Sequence, residues 1–271
     1  MTKKIKITGD IVDDDTALMY DFFGMSCTSP KAVDAVLDDT DIDTDISDPD
    51  VDPNDVEDVV IDIASNGGDV YAGSEIYTAL RAYKGRVIVN VLGLAASAAS
   101  VIAMAGDTVN ISPTAQMMIH KAWSVQQGNS DDYKHEAEIL DGIDQSIVNA
   151  YVDKTGLDRN KILQMMQNET WMTAQDAVSK GFADGIMFHN DDDDNVDDPD
   201  SDDGSFDDAL QVAASAHSIP TKASVKKFMM MLKQRNLNTP SLTKSKQKTK
   251  KVMKTSLYQQ KLDLLLQEKE G

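Results

Sequence analysis

With 271 residues, one cysteine (Cys27) and a formal net charge of -20, the chain can bury a core without an external staple and cannot close an intramolecular disulfide. No apolar run approaches the roughly 20 residues of a membrane span, and "MTKKIKITGD" has no apolar signal segment, so a soluble protein in a reducing, cytoplasmic setting is expected. The charge is uneven: Asp crowds residues 38–58 and 191–208, while "KASVKKFMMMLKQR" and "KSKQKTKKVMK" make the far end basic, and such blocks are as a rule solvated linkers and tails.

In chain order, "KIKITGDIV" alternates in period two and predicts a first strand. "SPKAVDAVLDD" offers Ser29 as N-cap and Pro30 at the first helical position, hence a short helix. The Asp-rich stretch after it has no packable face and reads as an inserted loop. From residue 58 strand and helix alternate: "DVVIDIAS", a turn at "NGGD", the helix "AGSEIYTALRAYKG" with Ile76, Tyr77 and Leu80 on one side, the strand "RVIVNVLG", the helix "AASAASVIAMAG", then the strands "DTVNISP" and "AQMMIH". This alternation defines an α/β class with buried parallel strands. A long helix follows in "SDDYKHEAEILDGIDQSIVNAYVDKTG", where Tyr133, Ala137, Leu140, Ile147 and Tyr151 recur at helical spacing; "DRNKILQMMQN" and "TAQDAVSKGFADGIMF" are the last compact pieces. The expected organisation is a domain over 1–189 carrying the acidic loop 38–58, an acidic linker at 190–208, and a basic, mostly disordered tail over 209–271 in which "TSLYQQKLDLLLQEKEG" could form a short helix on a partner.

Chemistry concentrates around three segments. His135 lies on the polar helix, His189 abuts the acidic linker and His217 is in the tail, so each reads as a solvated residue. His120 instead ends an apolar strand, where α/β folds build sites; alone, it would be as compatible with a structural role. "VLGLAASAAS" places Ser97 just after a strand and two alanines at a helix start, where free N–H groups stabilise developing negative charge; the bland alternative is an ordinary N-cap serine. Gly67 and Gly68 follow the preceding strand, and paired glycines there make either a tight turn or backbone N–H groups aimed at a ligand. Nucleophile, base and oxyanion donors are thus available, while spacing alone does not choose the carboxylate that would orient His120.

"SNGGDVYAG", "GLAASAAS", "MMIH" and "ETWMTAQDAVSKGFAD" together resemble the caseinolytic protease proteolytic subunit family (ClpP, peptidase family S14), in particular its phage-type head maturation or prohead protease branch. The similarity is close over residues 58–188 and weaker back to about residue 5. The resemblance implies a crotonase-like fold of repeated ββα units with the long helix as a protruding handle. It also implies Ser97 as nucleophile, His120 as base, Glu169 at the position of the third triad member, and oxyanion donors on Gly68 and Ala98. Gly67, Val70, Trp123 and Val125 are the implied substrate-binding positions, and Ser100 is a helix residue one turn on, where small size is what matters. No metal or organic cofactor is implied. The implied partners are polypeptide substrates, further copies of the chain in a ring (a heptamer or double ring), and an unfoldase ATPase or a phage capsid or scaffold protein. No membrane partner is implied, and the Lys-rich tail lacks the interleaved aromatics of a nucleic-acid surface.

The sequence departs from the cellular pattern in carrying Glu169 in place of Asp, Asn66 in place of Pro, and no recognisable axial loop at its N-terminus. Two competing readings share the fold: an acyl-CoA enzyme of the crotonase type, which would need a carboxylate acid/base and a CoA face, and a catalytically weak or inactive capsid-assembly scaffold.

Overall fold

The computed structural model describes residues 2–38, 56–188 and 220–237. Most of the acidic loop, the acidic linker with His189, the segment holding His217, and the proposed C-terminal helix lie outside the described residues. The chain divides into two compact units, one containing residues 2–14 and 27 onward through the sheet, the other gathering 15–26 with the C-terminal segment.

The first unit is built on an eight-stranded sheet of order β2 (Cys27–Thr28), β1 (Lys3–Ile11), β3 (Val59–Gly68), β4 (Val87–Ala96), β5 (Thr108–Ile111), β8 (Gly185–Ile186), with β6 (Gln116–Ile119) joined to β4 and β7 (Thr170–Met172) joined to β6. Strand β1 (Lys3–Ile11) buries Ile5, Ile7 and Ile11 while Lys4 and Lys6 face outward, the period-two signature of its sequence. The two-residue β2 (Cys27–Thr28) and helix α2 (Pro30–Leu37) follow, with Pro30 at the first helical position and Val33 and Leu37 turned inward. β3 (Val59–Gly68) and β4 (Val87–Ala96) run parallel at the centre, with Val59, Ile61, Ile63, Val87, Val89 and Val91 buried and Val60 and Ile88 on the other face half-buried.

One row of this sheet is polar. The Lys4 ammonium lies 2.7 Å from the Asp62 carboxylate, Asn90 donates to Asp62 at 3.2 Å, and Asn110 donates to Asn90 at 3.1 Å. The row gives the buried Asp62 its partners.

The connection between β3 and β4 is α3 (Val70–Ala82), whose N-cap Asp69 accepts from the N–H groups of Tyr71 and Ala72. After β4 comes α4 (Ala98–Ala103), six residues all buried. β4 divides its partners: Ile88–Val91 pair with β5 (Thr108–Ile111), whereas Leu94–Ala96 pair with β6 (Gln116–Ile119). β6 therefore lies alongside the end of β4, which sets up the site.

Helix α5 (Ser130–Thr155) starts at a capping box between Asn129 and Asp132 and ends at Gly156 in the left-handed conformation. Its buried residues, Asp144, Ile147, Val148, Ala150 and Tyr151, all fall in the second half. Tyr133 and Ala137, expected on a packed stripe, are exposed; helical spacing identifies the helix but not where along its length the packing stops. α6 (Arg159–Gln167), the short antiparallel β7 (Thr170–Met172), α7 (Ala174–Ser179) and β8 (Gly185–Ile186) complete the unit.

The second unit departs from the expected organisation. Residues 15–26 belong to it and not to the sheet unit, and the basic tail contains a helix, α8 (Lys222–Leu237). Phe228 of α8 meets Phe22 and Phe23 of α1 (Asp14–Phe23) with ring centroids 5.3 and 6.1 Å apart. An aromatic partner elsewhere in the chain supplies what a charge-based reading of the tail could not see. No helix among the described residues is long and apolar enough to cross a membrane.

Candidate active site

Strand β4 runs into α4 with Ser97 as the single residue between them. So abrupt a turn leaves Ser97 at φ 54 and ψ -125, a conformation that costs an L-residue on the order of 1–3 kcal/mol and persists only where its surroundings enforce it. The N–H of Ser97 donates to Met118 O at 3.0 Å, tying the turn to β6. Ser97 does occupy the N-cap position, but its side chain caps nothing. Its hydroxyl lies instead 2.7 Å from His120 Nε2.

His120 follows the last residue of β6, two positions beyond Met118, so the strand that holds the Ser97 backbone also delivers the imidazole. Burial lowers the His120 pKa from its ordinary 6.5, while the charges of Glu169 and Asp144 push it upward. At neutral pH the ring is therefore neutral and able to accept the serine proton.

Glu169 and Asp144 differ in setting. Glu169 is exposed, sits at φ 47, and accepts from the Trp171 indole N–H at 3.3 Å; among the described residues no hydrogen bond joins it to His120. Asp144, on α5, is 2 % exposed. One of its oxygens accepts from the Ala122 N–H at 2.7 Å, and the other lies 3.1 Å from the Lys121 ammonium, off the line of a good hydrogen bond. Asp144 thus anchors the two residues after His120. Sequence reasoning missed it, and the only signal was an Asp two turns before Tyr151 on the same helix face, one turn from buried Ile147 and Val148.

The paired glycines lie against the serine. A Cβ on Gly67, at φ +96, would sit 2.6 Å from Ala96 O and 2.8 Å from Ser97 Cβ. A Cβ on Gly68, at φ +154, would meet Ile11 O at 2.1 Å. Only glycine fits at either position. The Gly67 N–H is engaged by Ser65 Oγ at 3.1 Å. Ala98 is the first residue of α4, so its N–H has no intrahelical acceptor.

Val70 and Tyr71, just beyond the glycines, line a cavity of about 340 Å³ with Ile139, Ile143 and Ile147 of α5. Trp123 and Val125, in the irregular stretch after His120, are 66 % and 89 % exposed. Of the sequence-predicted residues, the structure brings Ser97, His120, Gly67 and Ala98 together, places Gly68 and Val70 beside them in the chain, and leaves Glu169 unbonded to His120. His135 is exposed, as expected.

Ser100 carries more than its size. It is fully buried, its hydroxyl donates to Ser97 O at 2.6 Å, and it lies 2.9 Å from Tyr151 OH.

A parallel α/β sheet with a serine and a histidine in contact at neighbouring strand ends, backed by close-packed glycines, is the arrangement of a hydrolase of the nucleophilic type. Residues 51–190 match the family model described as Clp protease, and the chain belongs to that family. Over 123 residues it is 32% identical to the ATP-dependent Clp protease proteolytic subunit of Deinococcus radiodurans, covering 45% of this chain and 60% of that protein. The subunit of the same description from Bacteroides fragilis is 32% identical over 140 residues, covering 51% and 67%, and that from Ligilactobacillus salivarius 36% over 133 residues, covering 48% and 68%. The matched stretch thus spans 60 to 68% of the length of these relatives.

Proposed function

We propose that the protein is a serine endopeptidase, and the observation that carries this is the 2.7 Å contact between Ser97 Oγ and His120 Nε2 at a turn whose hydroxyl caps no helix. Ser97 Oγ attacks the carbonyl carbon of the scissile peptide while His120 Nε2 takes its proton. The carbonyl electron pair moves onto oxygen, held by the N–H groups of Gly68 and Ala98, each such donor being typically worth about 3–4 kcal/mol of barrier. The imidazolium then protonates the leaving amine and the C–N bond breaks. Water, deprotonated by the same imidazole, releases the acyl group and restores Ser97. Glu169 serves as the third member when its side chain turns from Trp171 to accept the Nδ1 proton of His120. The cavity beyond the glycines, walled by Val70 and α5 isoleucines, suits an apolar substrate side chain, and Trp123 and Val125 offer exposed apolar surface to the substrate chain.

Separate Ser97→Ala and Ser100→Ala variants treated with a fluorophosphonate probe test the assignment. Loss of labelling in the first and retention in the second is expected; the reverse pattern overturns the choice of nucleophile, and an unlabelled wild-type chain overturns the serine-protease reading.

Assembly and substrate are further parts of the same reading. The name of these relatives, ATP-dependent Clp protease proteolytic subunit, supports a homo-oligomeric chamber with an ATPase partner, and the motif resemblance to head maturation proteases favours capsid or scaffold protein as substrate. The unbonded Glu169 favours the second reading, a catalytically weak scaffold on the same fold. Casein hydrolysis by the assembled protein separates the two.

A further inference from the structure

Ser100 and Tyr151 form a buried relay that ends on the peptide joining Ser97 to Ala98. The Ser100 hydroxyl has one proton, and it is committed to Ser97 O at 2.6 Å, since a carbonyl cannot donate. The 2.9 Å contact between Ser100 Oγ and Tyr151 OH is then donated by the tyrosine. Tyr151 is 1 % exposed, and burial pushes its phenol pKa strongly upward, so it stays protonated as a donor. Both hydroxyls are removed from water, where an unpaired polar group is costly, and each satisfies the other.

The planarity of the peptide bond gives this relay its consequence. Ser97 C=O and Ala98 N–H belong to one rigid unit and point in opposite directions. Whatever fixes the carbonyl therefore aims the amide. The carbonyl also accepts from Ser100 N at 2.9 Å and Val101 N at 3.3 Å, bonds that the helix start makes whatever residue is present. The side-chain relay adds an anchor outside α4, on α5. Donation to the carbonyl also polarises the peptide and strengthens its N–H as a donor.

We propose that Ser100 and Tyr151 are positioning residues for catalysis: together they lock the Ser97–Ala98 peptide plane, so that a residue of α5 sets the direction of the Ala98 oxyanion donor and holds the strained backbone of the nucleophile. The inference rests on the serine-protease reading. It accounts for a hydroxyl at a position where alanine would fill the space.

The test compares wild type, Ser100→Ala, Tyr151→Phe and the double variant as assembled full-length protein, hydrolysing a fluorogenic peptide, with active sites counted by fluorophosphonate labelling at saturation. Expected is a fall in kcat per labelled site of about 10- to 100-fold in either single variant, with KM and the acid limb of the pH profile unchanged because His120 is untouched. The double variant is expected to be no slower than Ser100→Ala, since both changes cut one chain. Unchanged kcat per site in the single variants, whatever happens to the melting temperature, overturns the proposal, as does a double variant whose losses multiply. Should Ser100→Ala fail to fold, Tyr151→Phe, which keeps the ring and its packing, decides by the same kcat criterion. A wild-type protein that neither labels nor hydrolyses defeats the protease reading itself, whereas an active wild type with equally active variants defeats only the relay.

Discussion

His120 is under opposing influences: burial favours its neutral form, and two carboxylates, Glu169 and Asp144, favour the charged one. Because the neutral form is the base, activity should fall in acid as the ring takes up a proton, with a midpoint below the ordinary 6.5. Removing a negative charge removes an influence that raises the pKa. Glu169→Gln should therefore shift the acid limb of kcat/KM to still lower pH, and a limb that moves upward would show that the carboxylate does not act on His120 through its charge. If Glu169 also orients the ring, kcat falls at every pH in the same variant. The serine and histidine were legible in the sequence because each stands at the end of a readable strand. Asp144, Tyr151 and the hydroxyl of Ser100 were not, because their roles come from contacts across 22 and 51 residues of chain that periodicity does not encode.

At the scale of elements, the site is the meeting of two parallel strand ends. β3 finishes in two glycines, β4 finishes in two alanines with Ser97 immediately after, and there is no space between them for a Cβ on Gly67. Gly67→Ala should destabilise the fold by roughly 1–3 kcal/mol through overpacking, with further strain from its positive φ. It should also abolish hydrolysis, because the change pushes against Ser97 itself. Thermal denaturation and peptide turnover check this, and a fully active, equally stable Gly67→Ala would mean that the strand ends are looser than described. The strands and helices from residue 58 onward were readable because Val and Ile runs alternate with helical periods and glycine stops. Helix α1, in "DDTALMYDFF", was not, since acidic residues at its start and paired aromatics at its end obscure a stripe whose partner, Phe228, lies some 200 residues away in the chain.

For the whole molecule, burial is distributed unevenly along α5, whose buried residues all fall in its second half. Its first half is polar and exposed, apart from partly covered Glu136 and Leu140, yet Tyr133 and Ile139 remain large apolar groups in water, 53 % and 38 % exposed. In the proposed homo-oligomer this half is one exposed segment able to lie against another copy.

A helix buried along only its second half should not behave as one object. A segment of about a dozen residues is marginal as an isolated helix in water, and the first half is supported by the capping box at Asn129 and by exposed side-chain bonds from Tyr133, Glu136 and Asp141 to Gln126, Ser124 and Lys121. Amides near Asp144 to Tyr151 should thus exchange with deuterated solvent only when the core opens, whereas those from Asp131 to Asp141 should exchange by local fraying, orders of magnitude sooner, in dissociated subunits. Concentrating the protein until copies associate should slow the early group and leave the late one as it was. Equal exchange along the helix at every concentration would contradict this. Measured amide by amide, α5 would thus report separately on whether a subunit is folded and whether it has company.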